Sequence, residues 1–220
     1  DRLINAALHE FADRGIDAAT LREITDRAQA NIAAVNYHFG SKDGLIRSVL
    51  EHCLGPINEA RLRWLDACTR KPSGPATVEE LVEALVRPVV ENSMDSTGGR
   101  APIRLLLQVR AVPRPLTNTI LSEQLDQIHR LFLAAFKKAL PDLPPDVVSL
   151  RYDFARGAVL QILGDLDPAA RDLPDLAVSH TRMDNERVIR HLIRFIADGF
   201  RSDAARAAKP NARARTAGRS

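Results

Sequence analysis

The sequence predicts an all-α protein. Apolar side chains recur every three or four positions along most of the chain, which is the spacing of one helix face. Aromatic residues make up only 5% of the 220 residues, and alternating runs rich in Val, Ile and Thr are scarce, so neither a β-sandwich nor a barrel is expected. Because Gly, Pro and helix-capping residues separate the apolar stripes, we expect about nine helices.

Two helices are expected at the start of the chain. Residues 1–14 carry a helical apolar stripe, and Gly15 is suited to end that helix. The run Thr20-Leu21-Arg22-Glu23 is a capping box, in which the Thr20 hydroxyl accepts an amide hydrogen bond and Glu23 reaches back to the Thr20 amide. A short helix therefore begins after Thr20.

A third short helix and a longer fourth one follow. Asn31 can cap a helix over 32–39, and Gly40 can end it. The next helix begins at residues 41–43, and we expect Gly55-Pro56 to kink or interrupt it, because proline removes a helical hydrogen bond.

The remainder of the chain reads as a helical bundle after a turn-rich connector at 69–77. The apolar stripes that predict its helices cover 78–94, 102–111, 116–140, 145–163 and 185–200. Residues 201–220 hold six basic residues against one acidic residue and are rich in Ala and Arg, so we expect a basic, disordered tail. Three segments result: 1–50, 51–200 and 201–220.

Charge alone does not predict the partner. The net charge of the chain is +3, and the tail accounts for more than all of it. Residues 1–50 carry six basic and seven acidic side chains, which does not favour nucleic acid by itself. A DNA-binding function must therefore be argued from a motif.

Residues 20–42 supply that motif. Two short helices joined by a tight turn at 28–30 match a helix-turn-helix, whose second helix enters the major groove. Asparagine can bridge N6 and N7 of adenine, small Ala33 permits close approach, and Lys42 begins a helix, where phosphate is favoured. The candidate DNA-binding residues are Thr20, Asn31, Ile32, Ala33, Asn36, Tyr37, His38 and Lys42.

These residues also carry a family resemblance. Residues 19–24 and 28–42, with Thr20, the Tyr37-His38-Phe39 cluster and Ser41-Lys42, resemble the DNA-binding domain of TetR-family repressors. Residues 31–42 look most like the fatty-acid-responsive, PsrA-like branch of that family. The resemblance covers 1–50 directly, and the length of the helical remainder also agrees with it.

Two positions depart from the family pattern. Gln29 stands where the family usually has Gly, so the turn must form without a residue that adopts positive φ freely. Asn36 stands where many members have Tyr, which replaces a phosphate contact by a base contact and leaves the operator sequence open.

The resemblance implies a homodimeric repressor of double-stranded DNA. Its two recognition helices would enter successive major grooves of a palindromic operator, with half-sites about 34–36 Å apart. Dimerisation would use the last two long helices, although the same stripes are also compatible with an intramolecular core. The candidate interface residues are Tyr152, Ala155, Val159, Ile162, Ile189, Leu192, Ile193 and Ile196.

The middle helices would enclose a small hydrophobic effector, with a fatty acid or an acyl-CoA as the candidates. Residues 51–200 are then the ligand-binding and dimerisation domain. Arg104, Gln108 and Arg110 can meet a carboxylate or thioester head, whereas core packing or a solvated helix face is the alternative for each single residue. The candidate pocket residues are Leu85, Arg104, Leu105, Gln108, Val109, Ile128, Phe132 and Phe136. Effector binding would lower operator affinity through its preference for one of two states.

Other chemistry is not expected. The six histidines do not form an H-E-x-x-H motif or another paired-ligand spacing, and no nucleophile elbow or phosphate-binding glycine loop occurs. We therefore expect no catalytic activity, no metal and no cofactor. Two isolated cysteines, the lack of a signal peptide and the lack of a long apolar run suggest a cytoplasmic protein without a membrane partner.

Two alternatives remain at this level. The chain would be a helical protein-interaction module if its helix-turn-helix had lost DNA binding, which Gln29 and the acidic balance of 1–50 motivate. It would be a lipid-binding carrier if the pocket worked without DNA.

Overall fold

The computed structural model describes residues 2–93, 100–165 and 185–202. Within these ranges the chain forms helices and no strand, which confirms the all-α class. The helices are α1 (Arg2–Arg14), α2 (Leu21–Ala28), α3 (Ile32–Phe39), α4 (Lys42–Thr69), α5 (Val78–Ser93), α6 (Ala101–Ala111), α7 (Pro115–Ala139), α8 (Pro145–Asp165) and α9 (Asn185–Arg201). From residue 203 onward, the predicted tail lies outside the described residues.

Side-chain caps fix the starts of three helices. The Glu23 amide donates to Thr20 Oγ1 at 3.3 Å, and the Thr20 amide donates to Glu23 Oε2 at 2.9 Å, which confirms the capping box. The Ala33 amide donates to Asn31 Oδ1 at 2.9 Å at the start of α3. Ser41 caps α4 in the same way. The helix-turn-helix therefore has the predicted local structure.

The turn between α2 and α3 places Gln29 in the left-handed region. Gln29 has φ 50° and ψ 49°, and it is the only non-glycine residue with positive φ in the described ranges. This conformation costs about 1–2 kcal/mol for a residue with a Cβ atom. The turn is held by hydrogen bonds from the amides of Gln29 and Ala30 to the carbonyls of Asp26 and Thr25.

Helix α4 runs through Gly55-Pro56 without interruption, so of the two predicted outcomes there, a kink or a break, the break is wrong. Pro56 is exposed and lies inside the helix, which loses the hydrogen bond that a residue with an N–H would make. Leu54 and Ile57 on either side are buried. Their burial holds the helix together across the proline.

The buried apolar residues form two cores. The first core contains Ala6, Ala7, Leu8, Phe11, Ala12, Ile16, Ala19, Ile24, Ala28, Val35, Leu45, Ile46, Val49, Leu50, Cys53, Ala101, Leu105, Val109 and Ile120. The second core contains Ile57, Leu65, Val78, Leu81, Val82, Ala84, Leu85, Val86, Val89, Val90, Ile103, Ile128, Phe132, Phe136, Leu143, Val148, Tyr152, Ala155, Val159, Leu163, Ile189, Leu192, Ile193, Ile196, Ala197 and Phe200. The boundary drawn after residue 50 thus falls inside α4, and the first core also draws on α6 and α7.

Candidate DNA-binding and effector sites

Helix α3 presents most of its circumference to solvent. Val35 is fully buried in the first core, and Ala34 and Phe39 are half-buried, so these residues anchor the helix. Tyr37 is 85% exposed and its ring meets that of His38 edge-on at 5.0 Å. Of the predicted DNA-binding residues, Asn31, Ile32, Ala33, Asn36, Tyr37 and His38 are exposed here together.

Thr20 and Lys42 are engaged within the protein. The Thr20 hydroxyl donates to Glu23 Oε2 at 2.8 Å. Hydrogen bonds from the Thr20 amide, the Thr20 hydroxyl and Arg14 lower the pKa of Glu23 to about 2. The Lys42 ammonium donates to the carbonyl of Ala19 at 2.6 Å. Lys42 therefore holds the loop before α2 in place.

Arg22 is a cation that sequence reasoning missed. It is exposed in the first turn of α2, next to Thr20, and it has no ion-pair partner in the described part of the chain. The neighbouring Arg27 is instead paired with Glu10 at 2.9 Å. The available signal was the position of Arg22 two residues after the cap residue Thr20, since phosphate groups approach helix N-termini.

A cavity of about 80 Å³ lies among α4, α5, α6, α7 and α8. Its wall is mostly aliphatic, with a basic and polar group at one side. The lining residues are Leu54, Ile57, Arg61, Leu85, Val89, Ile103, Leu106, Leu107, Arg110, Leu121, Leu125, His129, Tyr152, Arg156, Val159, Leu160 and Leu163. This composition suits an apolar guest with a polar end.

The polar lining is positively charged and incompletely paired. Arg61 is largely buried, which lowers its pKa to about 10, and its Nε donates to the Leu85 carbonyl at 3.1 Å. Tyr152 is only 1% exposed, its hydroxyl has no hydrogen-bond partner among the described residues, and burial raises its pKa to about 12. Burial and the charges of Arg156 and Arg61 lower the pKa of His129 to about 4.

The structure corrects most of the predicted pocket. Leu85 lines the cavity, but Leu105 and Val109 face the first core, because α6 is rotated with its opposite edge toward the cavity. Gln108 donates to the Ala12 carbonyl at 2.7 Å, and Arg104 lies 3.7 Å from Asp13. The remaining predicted residues pack inside the second core rather than along the cavity: Ile128, Phe132 and Phe136.

The predicted dimer residues are likewise mostly internal. Seven of them are buried within the protomer, where α8 and α9 pack on each other and on the second core: Tyr152, Ala155, Val159, Ile189, Leu192, Ile193 and Ile196. Ile162 is half-buried. The outer faces of the same two helices instead expose Phe154 at 65% and Phe195 at 70%, side by side along one groove.

Two family models match the chain. One, described as bacterial regulatory proteins of the tetR family, matches residues 3–49, and the other, a tetracyclin repressor-like C-terminal domain, matches residues 83–199, more than half of the chain. The chain belongs to the TetR family. It is a transcription regulator with a helix-turn-helix DNA-binding domain, and the family binds DNA and small effectors as dimers.

Known transcriptional regulators resemble this chain at modest identity. The HTH-type transcriptional regulator BetI of Burkholderia cenocepacia is 27% identical over 143 residues, which are 64% of this chain and 69% of that protein. FadR of Bacillus subtilis, solved in complex with stearoyl-CoA, superposes with a TM-score of 0.68 at 15% identity, covering 90% of this chain and 97% of FadR. The ketosteroid regulator KstR2 of Mycobacterium tuberculosis gives 0.61 at 18% identity, covering 90% and 92%. These likenesses establish the TetR fold.

Neither a membrane-spanning helix nor a group of metal-ligating side chains occurs in the part of the chain that the structure describes. No helix there is long and apolar enough to cross a membrane. The same residues contain no cluster of three metal-ligating side chains.

Proposed function

We propose that this regulator is a repressor that leaves a palindromic operator when a small, largely apolar effector fills the cavity. The observation that carries the proposal is the position of α6. One edge of α6 belongs to the first core through Ala101, Leu105 and Val109. The opposite edge lines the cavity through Ile103, Leu106, Leu107 and Arg110.

A ligand that displaces one edge of α6 must move the other, because a helix of three turns shifts as a rigid unit. Contacts at the end of α6 extend this coupling to the DNA-binding helices. The Gln108 amide bonds the last turn of α1 through Ala12, and Arg114, just beyond α6, forms an ion pair with Asp17 in the loop that leads to α2. Movement of α6 thus tilts α1 and the helices that pack on it.

Helices α4 and α7 supply a parallel connection. Asn58 of α4 donates to the Gln124 carbonyl of α7 at 2.8 Å, and Arg47, nearer the DNA-binding domain, pairs with Glu123. The cavity-lining residues Leu121 and Leu125 belong to the same turns of α7. Effector-driven separation of these helices would pull on the start of α4, which packs against α3.

Occupancy requires such movement. The cavity volume of about 80 Å³ is well below the roughly 300–1,000 Å³ of ordinary ligand pockets. An acyl chain therefore binds a wider state, and its preference for that state is the energy available to change operator affinity. The stearoyl-CoA held by FadR supports acyl compounds as the effector class, as does the resemblance to fatty-acid-responsive regulators.

The dimer that this function needs would form through the exposed outer faces of α8 and α9. Two large aromatic side chains, Phe154 and Phe195, lie exposed on that surface. A two-fold axis through it would present two copies of α3 to half-sites about one DNA turn apart.

The DNA part of the proposal is tested by selecting binding sites from randomised duplexes and measuring affinity by fluorescence anisotropy. We expect a palindromic site and an affinity that falls steeply with salt. Tyr37→Ala should weaken binding about tenfold or more, whereas Lys137→Ala, an exposed change at the far end of α7, should not. Absence of any preferred duplex would favour the protein-interaction or lipid-carrier alternatives.

The release part is tested by transcription in vitro from a promoter that contains the selected site. The protein should block transcription, and an acyl ligand should restore it. Gln108→Ala should bind the operator normally but respond to ligand only at higher concentration, because one link from α6 to α1 is gone. Activation instead of repression would contradict the proposal.

A further inference from the structure

We propose that the cavity selects an effector with a free carboxylate, which Arg61, Tyr152 and Arg156 bind together. This inference rests on the proposed role of the cavity as the effector site. It narrows the ligand class to amphipathic carboxylic acids and argues against a neutral ester, amide or thioester at the polar end.

Arg61 supplies the first part of the argument. Its guanidinium has five N–H donors, and the one hydrogen bond made in the structure runs from Nε to the Leu85 carbonyl. Nowhere in residues 2–93, 100–165 or 185–202 does an acidic side chain form an ion pair with it. A largely buried, unpaired cation is unfavourable by itself. A carboxylate guest would satisfy the remaining donors through paired hydrogen bonds.

Tyr152 and Arg156 converge on the same space. The Tyr152 hydroxyl is buried in the cavity wall without a hydrogen-bond partner, so it has a donor to offer. Arg156 lies over the Tyr152 ring at 5.8 Å and pairs at 2.9 Å with Asp153, an exposed residue. Since the partner of Arg156 is in solvent, its guanidinium can also meet an anion on the cavity side.

The charge of the lining excludes a neutral head. Three arginines line the cavity and none of its lining residues is acidic. The acidic residue at the exposed mouth, Asp126, pairs with Arg130 at 2.7 Å. The carbonyl of an acyl-CoA thioester is neutral, and the phosphates of CoA lie far from it. A thioester would therefore leave the charges of these guanidiniums uncompensated.

The test is isothermal titration of the full chain, without DNA, against matched probes. The probes are straight-chain acids from hexanoate to stearate, their primary amides and their CoA thioesters. We expect the best acid to bind about 10–100-fold more tightly than its amide, as charge-assisted hydrogen bonds imply. Equal binding of acid and amide, tighter binding of the thioester, or no binding of any acid would each overturn the inference.

Arg61→Met has a matched control in Arg63→Met, two positions along α4 on its exposed side. The first change should cancel most of the preference for acid over amide, and the second should leave that preference intact. Tyr152→Phe is an independent variant that should reduce the preference about fivefold. An unchanged preference in both cavity variants would overturn the proposal.

The two proposals fail in different ways. Acid binding without operator release would contradict the proposed function and leave the carboxylate inference standing. Release of the operator by a neutral ligand, with acids neither active nor bound, would contradict the carboxylate inference and leave the proposed function standing.

Discussion

The two cores of the molecule differ in how they treat polar atoms. Around the first core, the buried Thr25 hydroxyl donates to the Arg22 carbonyl at 2.9 Å, and the core itself is entirely apolar. Around the second core, the Tyr152 hydroxyl and Asn58 Oδ1 are buried and have no hydrogen-bond partner among the residues that the structure describes. The buried Thr25 hydroxyl beside the first core is therefore hydrogen-bonded, whereas two buried polar atoms beside the second core still have unused hydrogen-bonding capacity. A DNA-reading surface needs one fixed shape, and a sensor needs room for a guest.

The largest effect on stability is expected when a large side chain is removed from the first core. Phe11 is fully buried in the first core, so Phe11→Ala should lower the free energy of unfolding by about 3–5 kcal/mol. Urea unfolding followed by circular dichroism measures this change. Arg2→Ala, an exposed change on the same helix, is the control and should stay within about 0.5 kcal/mol. A small loss for Phe11→Ala would mean that the first core is loosely packed.

Removal of the charge of Arg61, beside the second core, should instead raise the free energy of unfolding. Arg61→Met deletes a largely buried cation while keeping an aliphatic side chain of similar length, so we expect up to about 2 kcal/mol of stabilisation in the ligand-free protein. The same urea titration measures it. If Arg61→Met destabilises the protein as much as a core truncation does, the contrast between the two regions is wrong.

A smaller gain is expected in the turn of the helix-turn-helix. Gln29→Gly removes the conformational cost of positive φ, but glycine loses more freedom on folding, which offsets part of this gain. The net stabilisation of the protein should be about 0.5–1 kcal/mol. Gln29→Ala, which keeps a Cβ atom, should give no such gain. Equal stabilisation by both substitutions would show that the side chain, and not the backbone, is responsible.

The smallest effect is a difference in pH dependence between the regions. Burial lowers the pKa of His129 to about 4 in the folded protein, below its ordinary value of 6.5, so the unfolded chain binds more protons between these values. Stability should fall as the pH drops from about 6.5 toward 4, and His129→Asn should remove that slope. Arg156 and Arg61 disfavour the charged ring, whereas Asp153 and Asp126 favour it.

Beside the first core, the pH-dependent loss of stability is expected at lower pH. The pKa of Glu23 is lowered to about 2 from 4.5, so its contribution is complete above pH 4.5 and is lost as the pH falls toward 2. Glu23→Gln should affect only that lower range. Thermal unfolding across the pH range separates the two windows, and a slope above pH 5 that survives His129→Asn would contradict the assignment.

What could be predicted from the sequence was the local structure. Capping at Thr20, Asn31 and Ser41 depends on residues two or three positions apart, and the exposed surface of α3 follows from one buried residue, Val35. The rotation of α6 could not be predicted, because both of its edges are apolar and the neighbour of each edge is set by packing. Leu105 was therefore assigned to the cavity, although it faces the first core, and Ile103 and Leu107 on the opposite edge were not assigned to the cavity that they line.

The same limit applies to the long helices near the end of the chain. Their apolar stripes predicted buried residues correctly, but a stripe does not say whether it is covered by the same chain or by a second copy. Phe154 and Phe195 lie off the main stripes, so their exposure became visible only in the packed structure. Arg61 was missed because a single arginine in a helix looks like a solvated residue.

The small volume of the cavity also has a kinetic consequence. If the cavity is the effector site as proposed, a guest larger than about 80 Å³ would enter when α4, α5, α6, α7 and α8 move apart, so its association rate would be limited by how often the protein opens. The effector would then be selected by the rate at which it enters as well as by the strength with which it binds.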